Sequence, residues 1–77
     1  MVNSISEVIE KFGGPADFGR AVGMSAGAAK QAKRRDSLAA EWFAATARAA
    51  HERGFRDITE ARLAQLAELR RLERTAA

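Results

Sequence analysis

Apolar residues recur along this chain at helical spacing, and glycine, proline and cap-forming side chains cut the pattern into short pieces. Ile5, Val8, Ile9 and Phe12 fall at i, i+3, i+4 and i+7, one stripe of a helix. Ser4 and Glu7 ahead of that stripe make an S-x-x-E capping box, which satisfies free amides at a helix start. A first helix is therefore expected over residues 4–12. Gly13-Gly14 then interrupts, and Pro15 suits the first position of a second helix because its fixed φ and missing N–H cost nothing there. That helix, 15–22, turns Phe18, Ala21 and Val22 inward.

Gly23 stops it, since glycine accepts the left-handed conformation that ends helices, and Ser25 is a good N-cap for the next. Only the three-residue turn Gly23-Met24-Ser25 separates the second helix from a third over 26–34, with Ala29 and Ala32 inward. Asp36-Ser37 predicts a break and the cap of a fourth helix, 38–53, that buries Leu38, Trp42, Phe43, Thr46, Ala47 and Ala50 and ends at Gly54. Thr59 caps a fifth helix over 60–74, with Ile58 and Leu63 as a hydrophobic staple, and Asp57 with Glu60 is a competing cap. Nothing alternates like a strand and no segment repeats. The expectation is an all-α domain of four to five helices, fraying over its last few residues.

The fifth helix carries Leu63, Leu66, Leu69 and Leu72 at every third position. At 3.6 residues per turn such a stripe drifts around the helix, so Leu69 and Leu72 cannot share the surface that Leu63 faces. Two contacts are implied, one to the domain's own core and one to a partner helix, with Leu66, Leu69 and Leu72 as the dimerisation set. The competing expectation is a helix folded wholly onto its own monomer.

Composition narrows the possibilities. A chain of 77 residues makes one small domain, which buries only about 60% of its unfolded surface and profits from a partner subunit. The content, 47% hydrophobic and 30% charged, is that of a globular protein, and the apolar runs are too short to span a bilayer. Glu7 and Glu10 stand where a signal peptide would be basic, so a cytoplasmic location is the simplest expectation. There is no cysteine, and the lone His51 cannot build a zinc site, so neither metal nor cofactor is expected.

The net charge of +3 is unevenly placed. Residues 13–35 hold Arg20, Lys30, Lys33, Arg34 and Arg35 against Asp17 alone, while the rest of the chain is slightly acidic. One basic segment is the footprint of a surface facing phosphates. An enzyme is not expected: Glu41, Glu52, Glu60 and Glu68 are scattered among arginines, no glycine-rich phosphate loop follows a strand, and no nucleophile sits beside a base. No small-molecule substrate is implied.

Two short helices joined by a three-residue turn containing glycine have the layout of a helix-turn-helix, whose second helix enters the DNA major groove. Gly19 is small where the helices cross, and Met24 and Ala29 are placed to point between them. The run GGPADFGRAVGMSAGAAKQAKRR, followed by a helix with Trp42, resembles the Cro- and repressor-like helix-turn-helix proteins of phages and prophages, and among them the small YdaS-like and carph-isopro group. The resemblance implies a lambda-repressor-like fold, with a DNA-binding domain over residues 1–57 and a C-terminal, dimerising or core-covering helix within 58–77. It implies base-facing Ser25, Ala26, Gly27, Lys30, Gln31 and Arg34, and phosphate-binding Arg20, Lys33 and Arg35. This chain departs from the group's pattern at Gly19, where alanine is usual, at Ala29, at Ala32, where tryptophan often lies, and at Leu38-Ala39. Those changes are expected to loosen the packing beneath helix 3.

In those positions Lys30 suits guanine O6 or N7, Gln31 suits adenine N6 and N7, and the Ala26 methyl suits a thymine methyl. Ser25 and the free amides around it suit a phosphate. The function so implied is a homodimeric, sequence-specific regulator that binds an inverted repeat in double-stranded DNA, in phage or mobile-element control. The alternative is an adaptor of the same shape that contacts another protein such as RNA polymerase, because Ala26, Gly27 and Ala28 offer bases few hydrogen bonds.

Overall fold

Five α-helices and one short 3₁₀ turn account for the ordered backbone in the computed structural model, which describes residues 2–76, with side chains through residue 73. The helices are α1 (Ile5–Lys11), α2 (Pro15–Val22), α3 (Ala26–Arg35), α4 (Phe43–Glu52) and α5 (Glu60–Ala76), and the turn is Ala40–Trp42. No strand occurs among the described residues. The fraying expected at the extreme end falls outside the described side chains.

Local chemistry explains each start and stop. The Ser4 hydroxyl accepts from the Glu7 amide at 3.1 Å, and the Glu7 carboxylate accepts in return from the Asn3 amide at 2.8 Å. Pro15 occupies the first turn of α2, behind Gly14 at φ 109°. Gly23 closes α2 in the left-handed region at φ 85°, and its amide and that of Met24 both donate to the Gly19 carbonyl at 2.8 Å. A side chain on Gly19 would set its Cβ 2.6 Å from the Met24 carbonyl oxygen, far inside contact distance. Glycine at position 19 is therefore what lets the turn fold back onto α2. The Ser25 hydroxyl caps α3 by accepting from the Ala28 amide at 3.1 Å.

The core lies between α1, α2 and the α4–α5 pair. Phe18, Ile5, Ile9, Val8, Ile58 and Leu63 are its largest fully buried side chains, and Phe12 meets Phe18 and Phe55 edge-on at 5.3 and 5.5 Å between ring centres. α3 packs on α2 and α1, α4 on α2 and α5, and α5 on α4 and α1. The result is a globule with a Cα radius of gyration of 11.5 Å. Ile58, Leu63 and Leu66 belong to the same cluster as Phe18, so the start of α5 is part of one core with the preceding helices.

Three expectations need correction. Helix 4 does not begin at 38: Asp36 takes the left-handed conformation, Leu38 turns into the core, and Ala39 stays extended, so α4 proper begins at Phe43 after the 3₁₀ turn. Trp42, Phe43 and Ala47 are only half-buried, as are Ala21 and Ala32, while Ala49 supplies buried surface in α4. Asp57 does not cap α5. Thr59 does, accepting from the Arg62 amide at 3.0 Å, and Asp57 instead accepts from the Val2 amide and from Lys11 at 3.0 Å. The Lys11 hydrogen bond is the main cause that holds the Asp57 carboxyl below its ordinary range.

Candidate nucleic-acid interface

The face of α3 that points to water is set by one buried methyl. Ala29 is fully buried against α2 and α1. Successive helix residues turn by about 100°, which carries Gly27, Lys30, Gln31 and Arg34 to the opposite side, where all four are exposed. Ser25 and Ala26 at the amino end of the helix are exposed as well. Every residue expected to face bases thus stands on accessible surface. Lys30, Gln31 and Arg34 make no side-chain hydrogen bond or ion pair among the described residues. The Ser25 hydroxyl accepts the capping bond from the Ala28 amide, which leaves its proton and one lone pair for a partner outside.

The three expected phosphate ligands are not equivalent. Arg20 is exposed and paired with Asp17 one turn earlier in α2. Lys33 lies on the flank of α3 that faces α1 and is paired with Glu10. Of the three, only Arg35 is exposed with a side chain free of ion pairs among the described residues. A cation already paired offers a phosphate less, because the existing partner must first be given up.

The carboxyl end of α3 is anchored by contacts that no local motif announces. The Ser6 amide donates to Asp36 at 2.9 Å, the Ser6 hydroxyl donates to the Lys33 carbonyl at 2.9 Å, and Arg70 of α5 donates to the Arg35 carbonyl at 3.4 Å. Cations and donors at a helix carboxyl terminus also suit its dipole. These bonds join positions about thirty residues apart, so spacing rules could not have found Ser6, Asp36 or Arg70.

α5 divides along its length. Leu63 and Leu66 are buried in the core, whereas Leu69 and Leu72 are 49% and 51% exposed and are the only exposed large hydrophobic side chains among the described residues. Leu66 therefore leaves the dimerisation set, since its side chain is consumed by its own core. Leu72 lies opposite Leu63 on α5, with exposed Ala61 and Gln65 in line with it, and Leu69 lies about 120° around from Leu63.

His51 is exposed, and among the described residues no group of three or more His, Asp or Glu side chains could hold a metal ion. None of the helices described is long and apolar enough to cross a membrane. No family model, curated protein or solved structure matches the chain.

Proposed function

We propose that the protein is a helix-turn-helix regulator that lays α3 in the major groove of double-stranded DNA and binds an inverted repeat as a homodimer. The observation that carries this reading is the outer face of α3, where Lys30, Gln31 and Arg34 project unpaired from a helix anchored at both ends. An α-helix fits the major groove, and those three side chains are the types that read base edges there. Gly27 lets the backbone approach closely, and Arg35, with Arg20 as a weaker contributor, holds phosphates and fixes orientation. So few readers leave part of the specificity to DNA shape and half-site spacing.

The homodimer is assigned to Leu69 and Leu72. Burying two half-exposed leucines from each copy contributes about 3–6 kcal/mol, while association costs about 4–15 kcal/mol in lost freedom. The dimer is therefore weak in solution, and DNA strengthens it by holding two copies together. The exposed Ala26, Gly27 and Ala28 favour a second reading, in which the protein is an adaptor that docks on a protein such as RNA polymerase and reads no bases.

Selection of bound duplexes from a random pool separates the two. The DNA reading expects a palindromic consensus with half-sites about one helical turn apart. An unenriched pool, with binding to the transcription machinery retained, would favour the adaptor.

A further inference from the structure

A cleft of about 350 Å³ runs between α3 and the 3₁₀ turn. Its walls are apolar: Ala32, Leu38 and the half-buried ring of Trp42. It lies where position 32 carries only a methyl and where the non-helical segment 37–39 follows the left-handed Asp36 that ends α3. Gln31, Arg35 and Ser37 stand on its rim, all exposed, and none of their side chains has a hydrogen bond or ion pair among the described residues.

We propose that this cleft binds a small aromatic carboxylate, with the ring against Trp42 and Leu38 and the carboxylate on Arg35. The size is that of a small-ligand site, and apolar walls with a few polar groups are the usual lining of such sites. An unpaired guanidinium selects a planar anion, because its fork matches a carboxylate with two parallel hydrogen bonds. Gln31 and Ser37 add donors beside it. No carboxylate lines the cleft, which disfavours cations and metals. A phosphate backbone has no use for a tryptophan wall, whereas a single aromatic ring stacks on one. The site stands on the cleft alone and does not require that α3 read DNA. If α3 does, the same ligand acts as an effector, because it occupies Gln31 and Arg35 at the edge of the DNA-facing surface.

Trp42 is the only tryptophan in the chain, so its fluorescence reports the site directly. The full chain is titrated with 3-phenylpropionate and, as a neutral isostere, 3-phenylpropanamide, neither of which shares the tryptophan emission. The expected result is a saturable change with the carboxylate at sub-millimolar to millimolar concentration, and at least about tenfold weaker binding of the amide. Arg35→Gln, at an exposed position, removes that preference, so that both probes bind about equally weakly. Ala28→Leu, which narrows the mouth, weakens both. Backbone amide shifts in NMR spectra localise to residues 28–42. Absence of any saturable change up to about 10 mM, equal binding of the two probes to the unaltered protein, or a preference that survives Arg35→Gln would each overturn the proposal.

Discussion

α2 and α3 are neighbours of similar length joined by three residues, yet they spend their sequences in opposite directions. α2 buries Phe18, Gly19 and Val22, with Phe18 at the centre of the core, and its contacts define the interior. α3 buries only Ala29 and sends its long polar side chains outward. A helix that fully buries one methyl is held by lying against α2 and α1, by its own caps Ser25 and Asp36, and by bonds from Ser6 and Arg70 to its carboxyl end. Its outer surface is thereby free to serve another molecule.

The largest effect is expected at Phe18. Phe18→Ala leaves a cavity in the core where α2 meets α1 and α4 and is expected to cost about 3–5 kcal/mol in chemical denaturation. Gly19→Ala comes next: its methyl has no room beside the Met24 carbonyl, and the loss should be about 1–3 kcal/mol. A neutral Gly19→Ala would show that the turn has another way to pack. Lys30→Ala, Gln31→Ala and Arg34→Ala should each change stability by less than about 0.5 kcal/mol, because all three are exposed and make no side-chain hydrogen bond or ion pair among the described residues. A large loss at any of the three would mean that the outer face of α3 has a structural duty.

The smallest effect concerns the loop that pins the amino terminus. The folded-state pKa of Asp57 is lowered, chiefly by the hydrogen bond from Lys11, so its stabilisation is fully present above its unfolded-state pKa of about 3.9 and fades as pH falls through the folded value. Asp57→Asn should therefore be less stable than the unaltered protein near neutral pH, and the difference should shrink below about pH 4. Thermal unfolding at a series of pH values checks the sign; a difference that grows on acidification contradicts the assignment.

Much of this architecture is legible in the sequence because its signals are local. Ser4 with Glu7, Gly14-Pro15, Gly23 with Ser25, and Thr59 with the Ile58–Leu63 staple each announce a boundary within a few residues. The drift of the α5 leucines likewise foretells that Leu63 is buried and that Leu69 and Leu72 are not. The start of α4 is misread because Leu38 continues a helical pattern while the chain reaches it through a left-handed Asp36 and leaves it through an extended Ala39. Leu66 is misassigned because a stripe at every third residue does not say where the core stops. In the candidate interface the pattern finds the exposed cations, but Glu10 capturing Lys33 and Arg70 reaching the end of α3 depend on how distant elements meet.

DNA binding by the outer face of α3, as proposed, would run through its unpaired cations. The most direct test is the salt dependence of equilibrium binding to a selected duplex, for the unaltered protein and for Arg35→Ala, Lys33→Ala and Gln31→Ala. Affinity should fall steeply with salt, and Arg35→Ala should lower the slope by about one counterion. Lys33→Ala should lower it less, since Lys33 begins in an ion pair with Glu10, and Gln31→Ala should leave the slope unchanged while relaxing sequence preference. Binding that is absent at low salt, or insensitive to salt, would rule out DNA recognition by this face.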